Sequence, residues 1–290
     1  MPMPRGARVA ASIGAVVLSV CWGFAAAEPA PAKSLRIVSL APNLTELTFS
    51  AGAGERIVAT VEYSDYPAAA RSIPRVGDAF RIDYERVLAL HPDVVLAWES
   101  GTPRNVISRL RELKLNVRVL ATYRIDDIPD ALREIGTIAG TTQIAERAGA
   151  QFEREIGALR AEYGARPVVS VFLQINDRPL FTVNGKQIMS ELVTLCGGRN
   201  VFADLNDLAP EIGEEAVIAA DPQVILATDN SGADALEHWR RWQRMRAVRT
   251  GNLYVLPPDD MARPTVRLAR GAAELCRTLE TARHRLQQKN

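Results

Sequence analysis

The possible fold is constrained most by a short segment that occurs twice. Residues 85–98, ERVLALHPDVVLAW, and residues 215–228, EAVIAADPQVILAT, agree at Glu, Val, Ala, Pro, Val, Leu and Ala in matching places. Each copy reads as a helix that opens on a glutamate and stops at a proline, which cannot continue the backbone ladder. The helix then feeds an apolar, β-branched run of the kind found in strands buried on both faces. Taken alone, so short a match is also the shared grammar of any two αβ units. The copies, however, stand at equivalent places on either side of one long helical stretch at 141–163, where Ile144, Ala148, Phe152, Ile156 and Leu159 share a face.

The flanking sequence extends the pattern. Apolar runs LRIVSL, RIVATV, DVVLAW and VRVLAT alternate with helical stretches NLTELTFSAG, DYERVLALHP and PRNVISRLRELKL. Asn43 and Asp83 are placed to cap helix starts, and Gly52 and Pro92 to end helices. After the long helix the alternation resumes with PVVSVFLQI, QIMSELVTLCGG, AVIAADP, QVILAT, ALEHWRRWQRM, NLYVLP and a closing helix from about residue 264. Strands alternating with helices make βαβ units and mainly parallel sheets. The expected fold is therefore α/β, with two Rossmann-like lobes (28–140 and 165–290) joined by one long helix (141–164). Ligands of open parallel sheets bind outside the carboxyl ends of the strands, so two facing lobes would hold a cleft between them.

The first 27 residues have the layout of a secretory signal, with Arg5 and Arg8, an apolar run at 9–24, and small residues at 25–27. Cleavage is expected before Glu28, with lipid attachment at Cys21 as the alternative, and the mature protein is expected in the periplasm. The 34 acidic residues of the chain are then nearly balanced by the remaining basic ones, which argues against nucleic acid as a partner. Cys196 and Cys276 also remain; in an oxidising compartment one disulfide is the simplest reading, and two buried thiols the other.

Catalytic signatures are absent from the sequence. There is no GxSxG, GxGxxG or GxxxxGK[ST], and His91, His238 and His284 lack ligand spacing. An exported hydrolase built on the adjacent Asp259 and Asp260 is the reading from another class; it lacks a nucleophile or metal. At the predicted strand ends stand aromatic and polar side chains instead: Tyr63, Asp65 and Tyr66 after the second strand, Trp98 after the third, Phe181 in the second half, and Asp259, Asp260 and Arg263 after the last. Their recurrence where the strands should open on one cleft points to a binding site for a large ligand with apolar and amide-like surface.

The motifs RIVSLAPNLTEL, YSDYP, ERVLALHPDVVLAW, RPVVSVFLQI, LCGGRNVF, EEAVIAADPQVILAT and AAELC run through nearly the whole mature chain. In them the sequence resembles the helical-backbone metal-chelate substrate-binding proteins of ABC importers, whose members carry cobalamin, haem or ferric siderophores. YSDYP and the cysteine pair of LCGG and AAELC are closest to the cobalamin type. The resemblance implies a non-enzymatic monomer with no cofactor, which takes a corrinoid as cargo and hands it to a membrane permease. It implies ligand walls at Tyr63, Phe80, Trp98 and Phe181, and contacts from Asp259, Asp260, Met261, Ala262 and Arg263. Glu85 and Glu215 match the carboxylates that dock on the permease, and Cys196 and Cys276 match a family disulfide. Two departures bear on the cargo: Ala79 and Ala209 stand where the cobalamin type carries tryptophan. A haem or ferric-siderophore carrier is the alternative within the same fold.

Overall fold

In the computed structural model, residues 1–2, 34–78, 80–228 and 232–288 are described. The expectations for the leader, including cleavage before Glu28 and a role for Cys21, lie outside these residues, as does Ala79. The first half contains β1 (Ile37–Ser39), α1 (Pro42–Ser50), β2 (Ile57–Ala59), α2 (Tyr84–Ala89), β3 (Val94–Trp98), α3 (Arg104–Glu112), β4 (Val117–Leu120) and α4 (Asp127–Ala139). The long helix α5 (Thr142–Tyr163) follows. The second half begins with β5 (Val169–Gln174), a small hairpin of β6 (Asn176–Asp177) and β7 (Leu180–Phe181), α6 (Ile188–Leu195), β8 (Gly198–Asn200) and α7 (Glu214–Ala220). It continues with β9 (Val224–Ala227), α8 (Arg246–Thr250), β10 (Leu253–Val255), α9 (Pro258–Ala262) and α10 (Leu268–Gln288).

The halves repeat one topology. Their sheets run β2-β1-β3-β4 and β8-β5-β9-β10, with every neighbouring pair parallel. The repeat read from sequence is also a repeat of local devices. Asp93 accepts from the Arg36 N–H at 2.8 Å through Oδ2, and Gln223 accepts from the matching Ser170 N–H at 2.9 Å through Oε1. His91 and Asp221, at matching turn positions, both adopt left-handed backbone, with φ of 45° and 39°. Residues 81–90 and 211–220 share one order of buried and exposed positions. Generic αβ grammar does not require a shared clamp or a shared left-handed turn residue, so the two halves are copies of one design.

Alternation along the central strands builds the layers. Ile37, Val94 and Leu96 point to one side of the first sheet and Val38, Val95 and Ala97 to the other; Val171 and Leu226 oppose Phe172 and Ile225 in the second. The inner faces of both sheets join a single core with α1, α4, α5, α6 and α10. Residues 35–290 thus form one unit, and the second lobe does not hang from the long helix alone. The buried seam of α5 is Ala145, Gly149, Phe152 and Ile156, whereas Ile144, expected on that face, is 42% exposed. The seam is set by α4: Gly136 lets the helices approach so closely that a Cβ there would lie 2.3 Å from that of Ala145.

Other details correct the sequence reading. Helix α4, strand β8 and the β6–β7 hairpin were not anticipated. Asp83 caps α2, accepting from the Arg86 N–H at 2.9 Å, but Ala41 precedes α1 and Asn43 is buried inside that helix. Gly232–Arg241 winds as a 3-10 helix.

Cys196, at the end of α6, is bonded to Cys276 in α10 with Cα atoms 4.7 Å apart, both fully buried. Closing a loop of this span removes entropy from the unfolded chain worth about 4 to 5 kcal/mol. Replacing both cysteines by serine should lower the urea-unfolding free energy by roughly that amount. A loss near zero would show that the bond constrains little.

Candidate functional site

The carboxyl ends of the two sheets face each other across a cleft. From the first half come Trp98 at the end of β3 and Thr122 and Tyr123 beyond β4. From the second come Ile175 beyond β5, Lys186 to Met189 at the start of α6, and Thr228 beyond β9. These groups enclose about 380 Å³, and a neighbouring hollow of about 230 Å³ lies between Pro42, Asn43 and the α9 region. The two hollows share Trp98, Ala262 and Pro264 and make one elongated cleft.

The cleft is flanked by polar bridges between the halves. Glu46 sits in α1, whose residues from Asn43 to Thr48 are all buried, and is 2% exposed. Its carboxylate accepts from Arg263 at 2.7 Å and from Arg267 at 2.6 and 2.9 Å. Arg263 also donates to Asp65 at 3.1 Å and pairs with Asp259 at 3.0 Å, while Arg267 lies over the Tyr66 ring at 4.3 Å. Burial alone would lower the pKa of either guanidinium, but hydrogen bonding to Glu46, and to Asp65 in the case of Arg263, leaves both above the ordinary value. Burial likewise pushes the Asp65 carboxyl up, and the Arg263 hydrogen bond and charge outweigh it, so that the group ends below its usual 3.8. Its share of the bridge is therefore complete at neutral pH and is lost only in strong acid. A second bridge joins α6 to the other half, where Glu191 accepts from the Ile125 N–H at 2.9 Å and pairs with Arg124 at 3.5 Å.

A family model described as periplasmic binding protein matches residues 37–260. The chain belongs to the periplasmic binding protein family. Among its curated relatives, the vitamin B12-binding protein of Vibrio cholerae serotype O1 (strain ATCC 39315 / El Tor Inaba N16961) is 33% identical over 257 residues, covering 88% of this chain and 92% of the relative. The vitamin B12-binding protein of Pectobacterium carotovorum subsp. carotovorum (strain PC1) is 34% identical over 269 residues, covering 91% and 96%. The crystal structure of the periplasmic vitamin B12 binding protein of Vibrio cholerae matches with a TM-score of 0.80 at 32% identity, over 86% of this chain and 97% of that one. A periplasmic heme-binding protein from Roseiflexus sp. RS-1 matches with a TM-score of 0.76 at 25% identity, over 86% and 99%.

Within this binding-protein fold, Trp98 and Ala262 line the cleft, and Asp259 and Arg263 line its smaller hollow. Tyr63 is 79% exposed on a left-handed turn with φ of 64°. The turn is held from below, where buried Ser64 joins a hydroxyl cluster with Thr60 and Thr45. Phe80 is also exposed, on a loop tied to that turn through the Glu62 N–H and the Gly77 carbonyl. Asp65, beside it, joins the bridge through Arg263, and the Tyr66 ring lies against Arg267.

Three expectations are corrected. Asp260 is 3% exposed and held by Arg267 and Arg270, and Met261 is wholly buried in the core, so neither faces the cleft. Asp259 is about half exposed and pairs with Arg263, whereas Asp260 is buried and held by Arg267 and Arg270, so the two carboxylates do not present a hydrolytic pair to the cleft. Phe181 is half-buried in β7, bridged to Glu211, and the wall beyond β5 is made by Ile175 and Val183.

Sequence reasoning missed Tyr123, although it follows β4 as Trp98 ends β3 and the same rule would have found it. Leu208 gave no such signal, because its loop is positioned by Asn184, which donates to the carbonyls of Leu205, Asn206 and Leu208; Ala209, noted from the resemblance as a departure, lines the cleft beside it. The role of Glu46 was also missed; its mark is the one charged residue in a largely buried helix.

Replacing Glu46 by glutamine should cost roughly 3 kcal/mol in chemical unfolding, since two buried guanidiniums lose their shared anion. A loss under about 1 kcal/mol, the level of an exposed pair, would contradict the bridging role.

Proposed function

We propose that this protein captures a cobalamin-type corrinoid in the periplasm, after export, and delivers it to the membrane permease of an ABC importer without chemical change. The observation that carries the reading is the cleft itself. It is walled by Trp98, Tyr123, Ile175, Val183 and Leu208, and among the described residues the only charged side chain lining the main hollow is Lys186. Such a surface suits a broad, largely apolar ligand with amide-like groups at its edge. Tyr63 and Phe80, both exposed, would add apolar surface for the ligand beyond the hollow. Identity of 33% to a vitamin B12-binding protein along 88% of the chain supports the same cargo. Among the described residues, no histidine lines either hollow to serve as an axial ligand for haem.

Isothermal calorimetry with cyanocobalamin tests the cargo. Saturable binding with one ligand per protein is expected at micromolar concentration; no heat there, with haemin binding instead, would replace the corrinoid with haem.

Delivery rests on Glu85 and Glu215. Each is exposed in the first turn of a short helix, and the helices occupy equivalent places in the two halves. Helix α2 runs back along the first sheet: its end meets the start of β1 through Arg36, which donates to the Leu90 carbonyl, and its start is tied to the loop after β2 through the Asp83 N–H and the Val76 carbonyl. With α7 in the equivalent place, this orientation supports a reading in which both glutamates stand on the side where the cleft opens, spaced by the pseudo-symmetry of the fold. Dipole complementation explains a carboxylate at a helix start but not the matched pair. The double variant Glu85→Arg, Glu215→Arg should bind cyanocobalamin as the wild type does and abolish uptake in a transport assay. Undiminished uptake would remove the docking role.

A further inference from the structure

Lys186 lines the main hollow and is exposed, so its ammonium is open to whatever enters the cleft. Among the described residues that ammonium has no ion-pair or hydrogen-bond partner. The other charged groups bordering the cleft are committed. Arg263 serves Glu46, Asp65 and Asp259 beside the smaller hollow, and Glu191, on the helix that Lys186 precedes, is held by Arg124 and the Ile125 N–H. Asp204 and Asp207, exposed on the neighbouring loop, neither line the main hollow nor pair with Lys186. The backbone beneath the lysine is fixed, although its side chain is free. The Lys186 N–H donates to the buried Asn184 Oδ1 at 2.9 Å, Asn184 Nδ2 donates to the carbonyls of Leu205 and Asn206, and the Gly185 N–H donates to the Ala203 carbonyl at 2.8 Å. A cation rooted on such a turn keeps its place at the cleft wall, while its flexible stem lets the ammonium follow an anion on the cargo.

We infer that Lys186 selects complete corrinoids by pairing with the phosphodiester of their nucleotide loop. The inference rests on the corrinoid reading above and narrows it. The arms around the ring of cyanocobalamin end in neutral amides, and the phosphodiester is its one anionic substituent; cobinamides lack the nucleotide loop and have none. An amide oxygen can accept from the ammonium but leaves the charge uncompensated, whereas a phosphodiester neutralises it and forms the stronger, charge-assisted bond. The contact lies at an open wall, so its strength is that of a partly screened pair and it depends on salt. The anion of a haem cargo is a carboxylate, which the same cation would also meet, and haemin is therefore a necessary comparison.

The test measures the affinity of cyanocobalamin, dicyanocobinamide and haemin by calorimetry on the wild type, Lys186→Gln and Lys186→Arg, at about 20 mM and about 500 mM salt. Circular dichroism and thermal melting confirm that each variant is folded. At low salt Lys186→Gln should weaken cyanocobalamin about fivefold beyond its effect on dicyanocobinamide, and Lys186→Arg, which keeps the charge, should recover most of that loss. High salt should shrink the gap between wild type and Lys186→Gln to within about twofold. A purely steric role for the side chain would move both corrinoids alike and ignore salt. If Lys186→Gln weakens both corrinoids equally, or keeps wild-type affinity for cyanocobalamin at low salt, the phosphodiester contact is wrong while the corrinoid reading stands. If the wild type binds haemin and not cyanocobalamin, both fall.

Discussion

The arrangement of this protein depends on one buried anion. Glu46 is held by α1 out of solvent beside the cleft, where an unpaired charge would cost several kcal/mol. The cations that meet it, Arg263 and Arg267, belong to the other half of the chain. The pair therefore fixes how one sheet stands against the other, and with it the spacing of Trp98 and Pro264 across the cleft. The arginines are held in turn by the α9–α10 connection, which can pack tightly because residue 271 is glycine; a Cβ there would lie 2.0 Å from the Asp260 carbonyl oxygen. Burying Asp260 beside Arg267 and Arg270 completes a charged cluster that ties the two halves together beside the cleft.

Much of the fold was legible because it is written locally. The strand-helix alternation, the long α5, the Asp83 cap and the repeated αβ segment all follow from periodicity and from residues with a fixed backbone meaning. The site was legible where a wall residue directly follows a strand, as with Trp98. It was less so where position comes from contacts distant in sequence. Asp260 and Met261 read like neighbours of Asp259 and Arg263, but a short helix turns successive side chains through about 100° and sends them into the core. The loop bearing Leu208 and Ala209 is fixed by the Asn184 amide, and no periodic pattern announces such a contact. Asn43 illustrates the opposite failure: its residue type and its place near a helix start both invite a cap, yet Pro42 begins the helix and Asn43 turns inward.

The pseudo-symmetry has different outcomes on the two sides of the sheets. At the turns before β3 and β9 it preserves small devices, the left-handed residue and the side-chain clamp, because each sheet needs the same connection to close. Inside the cleft the copies diverge, with Trp98 at the end of the first repeated segment and Thr228 at the end of the second. One half thus offers an aromatic wall, and the other a polar corner.

Part of the cleft wall, including Tyr123, Leu208 and Thr228, stands on residues beyond the strands and outside the apolar core, whereas Val183, Ile188 and Met189 belong to both wall and core. Cargo and architecture are thereby encoded in partly separate parts of the chain, and a lineage can rewrite the former there without risking the latter. A scaffold divided in this way can change occupants through substitutions in a few loops, which accounts for a vitamin B12-binding and a heme-binding protein sharing one backbone plan with this chain.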